Sequence, residues 1–189
     1  HFDEEGNLRP GYVLTRYREG KSEKSAKVEF AYYGPYKKTE ATADDWAILK
    51  VSLPLGDELG FFGVHATTRI SELKHLVHPG YSSDIADGAI LSVDLDCDVT
   101  RIYNGNFWDN SPAGRLLHDC DMEQGASGGP LMSCDKTGSK CSVVGVNSAE
   151  YSDKPVEGLP NSYFFQDANI AVSATQFLPT LLKLRGDGY

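Results

Sequence analysis

Gly125-Ala126-Ser127-Gly128-Gly129-Pro130 sets one serine among four small residues and ends in proline. Glycine lets the backbone adopt conformations that a Cβ atom forbids, and it lets another carbonyl group approach main-chain N–H groups closely. A serine on such a turn has an exposed Oγ and amide donors beside it, as an acyl-transfer nucleophile requires. The alternative is a plain glycine-rich surface turn, but a chance match of this pattern has a probability on the order of 10⁻⁴. We therefore interpret Ser127 as a candidate nucleophile, which would also need a base and an orienting acid.

The composition is that of an ordinary globular chain with an acidic balance. Of 189 residues, 40% are hydrophobic and 24% are charged, and the formal net charge is -9. This charge argues against nucleic acid or an anionic membrane as the main partner, and we interpret it as a contribution to solubility. No apolar run approaches the ~20 residues needed to cross a bilayer, and no signal peptide is visible. Because the first residue is His1 rather than Met, we expect the start of the gene product to be missing.

The four cysteines predict two disulfides. Cys134 and Cys141 flank a short polar segment, and a two-residue turn at Thr137-Gly138 would place them opposite each other on paired strands. Facing residues of this kind have Cα atoms about 4.5 to 5.5 Å apart, which is within disulfide range. Cys97 and Cys120 would then form the second pair, and the protein would be exported. Four free thiols in a cytosolic protein remain the alternative, and zinc is disfavoured because no C-x₂-C spacing occurs.

Short apolar runs separated by Gly and Pro predict a chain of many short strands. These runs predict strands over 12–17, 28–33, 46–51, 76–77, 89–97, 131–132, 142–146 and 168–173. A helical pattern occurs at 177–184, where Pro179 is compatible only with the first turn. Residues 57–71 look like a connector, and we place the boundary between two halves, 1–60 and 61–189, within it. Strands of this kind favour an all-β barrel or sandwich.

Two motifs resemble those of trypsin-like serine proteases of the chymotrypsin fold. They are the serine stretch 125–130 and Asp45-Trp46-Ala47-Ile48-Leu49, while His118-Asp119-Cys120-Asp121 resembles the bacterial branch related to glutamyl endopeptidases. The resemblance implies an all-β, chymotrypsin-like double Greek-key β-barrel with a short C-terminal helix and an incomplete first barrel. It also implies a secreted or periplasmic serine endopeptidase. Such an enzyme would act as a monomer on protein or peptide substrates, without cofactor, metal, nucleic acid or membrane.

The resemblance assigns roles to three distant residues. In this fold the catalytic residues follow the order His, Asp, Ser, and among the histidines only His1 precedes Asp45. The spacing from His1 to Asp45 is close to that of the chymotrypsin template, and the spacing from Asp45 to Ser127 is about ten residues shorter. His1 would act as the base, Asp45 would orient it, and the N–H groups of Gly125 and Ser127 would form the oxyanion hole. Two alternatives stay open: His1 is an arbitrary fragment end, or Asp44 is the acid.

Ala126 departs from the pattern of animal trypsins. There an aspartate precedes the nucleophile and pairs with the N-terminal ammonium group that activation releases, whereas Ala126 has no charge to pair. We therefore expect an enzyme that is not switched on by that ion pair. Because several strands precede the histidine in the family, we also expect the 189-residue piece alone to be weak or inactive.

The specificity pocket is implied by position relative to the nucleophile. Asp121 would lie at its base, and Asn147, Ser148 and Glu150 would line its wall. Glutamate-specific relatives have a histidine where this chain has Asn147, which disfavours cleavage after Glu. In a trypsin an acid at the position of Asp121 favours cleavage after Arg or Lys, although the bacterial branch often has an acid there without this preference, and we favour the basic side chains. Glu150 replaces a glycine that keeps the trypsin pocket open, and it would either narrow the pocket or add a second negative charge.

Other candidate residues have simpler interpretations. His75 and His78 would lie on opposite faces of a strand, which disfavours metal binding, and His118 is expected to be structural. Three aromatic residues are expected in the core: Trp46, Phe61 and Phe62. The alternative function is a catalytically inactive protease homologue that serves as a protein-binding module.

Overall fold

The computed structural model describes residues 9, 11–34, 43–103, 114–150 and 169–187. The strands there are β1 (Tyr12–Thr15), β2 (Lys24–Tyr33), β3 (Ala47–Val51), β4 (Gly63–Val64), β5 (Leu76–Gly80), β6 (Ser92–Cys97), β7 (Val99–Tyr103), β8 (Arg115–His118), β9 (Pro130–Cys134), β10 (Cys141–Glu150) and β11 (Asn169–Ser173). The helices are α1 (Leu55–Leu59) and α2 (Ala174–Gly186), and 3₁₀ turns occur at Ile70–Glu72 and Ala86–Gly88. This confirms the prediction of a mainly β chain with a short C-terminal helix.

The first three strands form a small antiparallel sheet of their own, in the order β1-β2-β3. Tyr12 pairs with Lys27 across β1 and β2, and Val28 pairs with Val51 across β2 and β3. Ala26 and Val28 alternate with exposed residues along β2, as expected of a strand with one face buried. Large apolar side chains nevertheless remain exposed on this sheet, namely those of Tyr12, Leu14, Phe30, Tyr33 and Leu49.

The strands from residue 63 onward form the larger sheet. Its order is β6-β5-β9-β10-β11-β8-β7, antiparallel throughout, with β4 added in parallel to β10. The core cluster of this part consists of Leu73, Leu76, Cys97, Val99, Leu116, Cys120, Leu131, Val144 and Ala171. Within the described residues, β6 and β7 stand at opposite ends of the strand order and do not pair. The closed double barrel implied by the resemblance is therefore not seen in this part of the chain.

Both predicted disulfides are confirmed. Cys97 bonds to Cys120 with a Cα–Cα distance of 4.7 Å, and Cys134 bonds to Cys141 with a Cα–Cα distance of 4.0 Å. Cys134 and Cys141 are direct partners in the β9–β10 ladder, as the hairpin prediction required. The Cys97–Cys120 bond joins the end of β6 to the segment that leads into the serine turn.

The turn between Cys134 and Cys141 differs from its prediction. The Gly138 N–H donates to the Asp135 carbonyl at 2.9 Å, so Lys136 and Thr137 are the central residues rather than Thr137 and Gly138. The Asp135 carboxylate explains the shift, because it accepts hydrogen bonds from the main-chain N–H groups of Thr137 and Ser139. The Thr137 hydroxyl, which also donates to this carboxylate, is the largest cause of a lowering of the Asp135 pKa to about 2, and the Ser139 hydroxyl and the main-chain N–H groups of Ser139 and Lys140 add to it. An acidic side chain at the first turn position commonly fixes a turn in this way.

Helix α2 begins earlier than the predicted span 177–184. Ser173 is its N-cap, and the Ser173 side chain accepts a hydrogen bond from the Thr175 N–H at 3.3 Å. Pro179 consequently lies inside the helix rather than in the first turn, where it removes one main-chain hydrogen bond. Buried Phe177 packs against Trp46, with ring centroids 6.3 Å apart, and this contact joins the helix to the segment that leads into β3. None of the described helices is long and apolar enough to cross a bilayer.

The expectation that three aromatic residues lie in the core is wrong for two of them. Phe61 and Phe62 are 89% and 60% exposed, in the segment between α1 and β4. Both follow Gly60, the C-cap of α1, which has φ of +80°. Trp46 is half-buried through its contact with Phe177.

Candidate active site

Ser127 lies at the surface in a tight turn. The Gly129 N–H donates to the Ala126 carbonyl at 2.9 Å, which closes a four-residue turn with Ser127 and Gly128 at its centre. Gly128 has φ of +86°, which a type II turn requires at its third position and which residues with a Cβ rarely adopt. Ala126 is only 1% exposed, whereas Ser127 is exposed. The turn is thus anchored by the residue before the serine and leaves the serine accessible to a substrate.

Two main-chain donors beside this turn are unused. The N–H groups of Ala126, Gly128 and Gly129 donate to carbonyl groups, but those of Gly125 and Ser127 donate to no group in the described part of the chain. Gly125 has φ of +98°, and a Cβ atom there would lie 2.5 Å from the Tyr81 carbonyl oxygen. Only glycine therefore fits this position, and the conformation leaves its N–H available to an oxyanion.

Strand β10 holds the turn in place and carries a bulge next to it. The Gly128 N–H donates to the Asn147 carbonyl at 2.7 Å, and the Asn147 N–H donates to the Gly129 carbonyl at 2.9 Å. On the other side, Asn147 pairs with Ala171 of β11, and the register shifts before Ala149. Ser148 is the extra residue in this shift. Bulges of this kind redirect a side chain.

The redirected side chain of Ser148 connects the two sheets. Its Oγ donates to Asp45 Oδ2 at 2.5 Å, across 103 residues of sequence. Asp44 differs, because the hydrogen bond it makes in the described chain is that of its main-chain carbonyl with the Trp46 N–H at 3.0 Å. The structure therefore brings Asp45, rather than Asp44, to the strand that holds the serine turn.

The remaining predicted site residues are placed as follows. His1 lies outside the described residues, and so does the side chain of Glu150. Asp121 is exposed, and its N–H donates to Asp94 Oδ2 at 2.8 Å. Asn147 is 2% exposed, and the Ser148 hydroxyl is engaged with Asp45.

A buried polar cluster beneath the serine turn was missed at the sequence level. It consists of His78, His118 and Asn147, each no more than 2% exposed. His78 Nδ1 donates to the Asp121 carbonyl at 3.4 Å, and a Cβ at Gly129 would lie 3.3 Å from His78 Nε2. No described group forms a hydrogen bond with His78 Nε2, either ring nitrogen of His118, or the Asn147 amide. The sequence indicates this cluster only through the alternation along β5, in which Leu76 and His78 share the buried face.

Burial keeps both histidines of this cluster neutral. Desolvation, together with the neighbouring His78, lowers the pKa of His118 from its usual 6.5 to about 4, while the charges of Asp119 and Asp94 oppose the shift. Desolvation also lowers the pKa of His78, against the Asp121 carbonyl and the charges of Asp94 and Asp121. Two neutral imidazoles therefore lie beneath the serine turn at neutral pH.

We expect this burial to make the fold sensitive to mild acid. Below pH 6.5 the unfolded chain takes up a proton at His118, whereas the folded chain does so only near pH 4. The free energy of unfolding is therefore highest above pH 6.5. It falls progressively between pH 6.5 and about pH 4, by about 3 kcal/mol in total. In urea unfolding across this pH range, the free energy of unfolding should fall less for His118→Gln than for the unaltered protein. The exposed His75→Gln serves as the control, and equal slopes for His118→Gln and the unaltered protein would contradict this assignment.

Comparison with known proteins places the fold. No protein-family model and no curated protein matches the sequence. Solved structures do match, and they include several chymotrypsin-fold serine proteases. The chain has this fold. At the identities involved, the likeness establishes the fold alone.

Three of these structures show the extent of the match. A Glu endopeptidase solved in complex with MPD matches with a TM-score of 0.65 and 18% identity, over 95% of this chain and 76% of that chain. The protease Anisep from Arthrobacter nicotinovorans matches with a TM-score of 0.59 and 17% identity, over 86% of this chain and 68% of that chain. Kallikrein-related peptidase 10 matches with a TM-score of 0.58 and 12% identity, over 97% of this chain and 82% of that chain.

Proposed function

We propose that this chain is a serine endopeptidase that hydrolyses peptide bonds through an acyl-enzyme. One observation carries the proposal. An accessible serine lies on a turn with two N–H groups that have no acceptor among the described residues, and the strand that holds this turn also holds Asp45 through Ser148. A nucleophile, an oxyanion site and an orienting carboxylate, together with a general base, are what acyl transfer requires of a protein, and we propose His1 as that base.

The proposed reaction has two halves. Ser127 Oγ attacks the scissile carbonyl carbon while His1 takes the hydroxyl proton, and the resulting oxyanion accepts hydrogen bonds from the Gly125 and Ser127 N–H groups. His1 then gives the proton to the leaving amine, and the C–N bond breaks. In the second half, a water molecule attacks the acyl carbon while His1 takes one of its protons. His1 returns this proton to Ser127 Oγ, the ester bond breaks, and the carboxylic acid product leaves. Asp45 holds the imidazole in the tautomer that can accept the proton, and it stabilises the charged form.

For the primary specificity we propose cleavage after Arg or Lys. Support comes from the negative charges of Asp94 and Asp121, two residues that lie on touching segments because the Asp94 carboxylate accepts a hydrogen bond from the main-chain N–H of Asp121. Asn147, Ser148 and Glu150 would form the wall of the pocket. A panel of peptides with Arg, Glu, Phe or Ala at the cleaved position tests this. Preference for Glu would instead follow the activity in the name of the Glu endopeptidase neighbour.

The setting that we propose is extracellular or periplasmic, with a monomer acting on protein or peptide substrates and not on nucleic acid. Two disulfides support export, because such bonds persist in oxidising compartments. The net charge of -9 supports the absence of nucleic-acid binding.

A fluorophosphonate probe tests the proposed function directly. We expect it to label the full-length protein covalently at Ser127, because the reagent reacts with activated serines and leaves ordinary hydroxyl groups untouched. Mass spectrometry of the labelled peptide identifies the residue, and Ser127→Ala provides the control. Absence of labelling in the folded full-length protein would favour the inactive homologue that binds a protein partner.

A further inference from the structure

The loop before Ser127 must be ordered by something other than a charged side chain. Glu123, Gln124 and Gly125 are all exposed, and the Ala126 side chain is a methyl group that can form no ion pair. Within the loop, the Ala126 N–H donates to the Glu123 carbonyl at 3.1 Å. One such bond does not fix the direction of the Gly125 N–H, because glycine has more accessible conformations than any other residue.

A neighbouring segment supplies the missing contacts. The 81–89 loop, which connects β5 to β6, lies directly against the 123–125 loop. The Ser83 N–H donates to the Gln124 carbonyl at 2.8 Å, and the Glu123 N–H donates to Ser82 Oγ at 3.4 Å. The Tyr81 carbonyl lies so close to Gly125 that a Cβ there would be 2.5 Å from the carbonyl oxygen. The backbone around Tyr81 is thus the surface on which Gly125 rests.

The 81–89 loop is in turn attached to the smaller sheet. The Tyr81 hydroxyl donates to the Tyr17 carbonyl at 2.9 Å, and the two rings meet edge to face with centroids 5.8 Å apart. At the far end of the loop, the Glu19 N–H donates to the Ala89 carbonyl at 2.8 Å. Tyr17 and Glu19 belong to the turn between β1 and β2. The contacts therefore run from the smaller sheet, through Tyr81, to Gly125.

Backbone conformation marks the same junction independently. Five non-glycine residues of the described chain have positive φ, and four of them lie in these two segments: Arg16 and Glu19 in the β1–β2 turn, and Ala86 and Asp87 in the 81–89 loop. Such conformations are unfavourable for residues with a Cβ, and they persist where surrounding contacts determine them. They commonly cluster where a functional site needs a fixed geometry.

We propose that Tyr81 is a positioning residue for the oxyanion hole, which it holds in place by joining the β1–β2 turn to Gly125. This inference rests on the proposed function. Tyr81 itself does not touch the reacting atoms. Its hydroxyl fixes the 81–89 loop against Tyr17, and the loop backbone fixes the direction of the Gly125 N–H. The smaller sheet thereby takes over the ordering role that no charge at position 126 can fill.

Tyr81→Phe tests this role, because it removes the hydrogen bond to Tyr17 and keeps the ring. We expect kcat for the best peptide of the panel to fall about tenfold, which corresponds to the loss of one neutral hydrogen bond, while KM changes less than twofold. The exposed Tyr12→Phe is the matched control and should leave both constants unchanged. Tyr17→Leu, which removes the ring contact with Tyr81 from the β1–β2 turn and keeps the accepting carbonyl, should lower kcat in the same way.

A pair of inhibitors separates positioning from general damage. The aldehyde of the best peptide forms a hemiacetal whose oxygen occupies the oxyanion site, whereas the matching alcohol binds without bond formation. In Tyr81→Phe we expect the aldehyde to bind about tenfold more weakly and the alcohol to bind unchanged. An unchanged kcat, or an equal loss for both inhibitors, would overturn the proposal. If the unaltered protein is not labelled by fluorophosphonate, it is the proposed function that fails, and this outcome is distinct from labelling with no effect of Tyr81→Phe.

Discussion

Ser127→Ala is expected to lower kcat for peptide hydrolysis by about 10⁵-fold or more, with little change in folding stability. The hydroxyl is the group that forms the acyl-enzyme, and no other described residue stands on this turn with an accessible nucleophile. Removal of the corresponding serine in the well-studied enzyme subtilisin costs about 10⁶-fold. Some activity above the uncatalysed rate should survive, because substrate binding and the oxyanion donors remain.

The measurement is kcat and KM for the best peptide, combined with thermal unfolding. Ser25→Ala is the matched control, because Ser25 is exposed on β2, away from the turn. It should leave both constants unchanged. A Ser127→Ala protein that retains a tenth of its activity would show that another residue supplies the nucleophile.

Asp45→Asn is expected to lower kcat by about 10⁴-fold at neutral pH. The amide can still accept the hydrogen bond from Ser148, so the local structure should persist. It cannot hold the base in the productive tautomer or balance the positive charge that develops on it, and the same substitution in chymotrypsin-type proteases has an effect of this size. We therefore expect kcat to decrease while the folding stability changes little.

Asp44→Asn decides between the two acids. The hydrogen bond that Asp44 makes in the described chain uses its main-chain carbonyl, so we expect less than a twofold change in kcat. A large loss for Asp44→Asn with a small one for Asp45→Asn would reverse the assignment. The loss of kcat in Ser148→Ala should lie between the losses in Asp44→Asn and Asp45→Asn, because Asp45 keeps its charge but loses the hydroxyl that orients it.

Much of the fold could be predicted from local sequence patterns. Alternating apolar residues located strands such as β2 and β10, and the spacing of Cys134 and Cys141 predicted their direct pairing across a hairpin. These features succeed because they depend on side-chain alternation and short-range geometry. The C-terminal helix was found from its apolar spacing, but its start was missed, because Ser173 was not recognised as an N-cap.

Other features depend on contacts between distant residues, and local patterns do not contain them. Helix α1 ends, and strand β4 lies, in the segment 57–71 that was interpreted as a connector, and β4 forms because it pairs with β10. The exposed positions of Phe61 and Phe62 could not be predicted, since aromatic residues are usually buried.

In the candidate site, too, local features could be predicted and contacts between distant residues could not. The serine turn was readable from its glycines, because their conformational requirement is local. Ser148 was interpreted as a wall of the pocket, since nothing in the sequence indicates the bulge that redirects it to Asp45. The buried histidines and the contacts of Tyr81 join segments far apart in the chain, so only the tertiary structure reveals them.

The bulge at Ser148 limits how β10 can vary in length. Deleting one residue there would restore regular pairing with β11, which the sheet would tolerate well, yet it would turn the hydroxyl away from Asp45. By contrast, the polar tip between Cys134 and Cys141 forms no hydrogen bond with the described residues of the candidate site, so it could gain or lose residues at small cost. Insertions and deletions among homologues should therefore accumulate at the tip of the β9–β10 hairpin and be absent around Ser148. The reason is the hydrogen bond from Ser148 to Asp45, not the stability of the sheet.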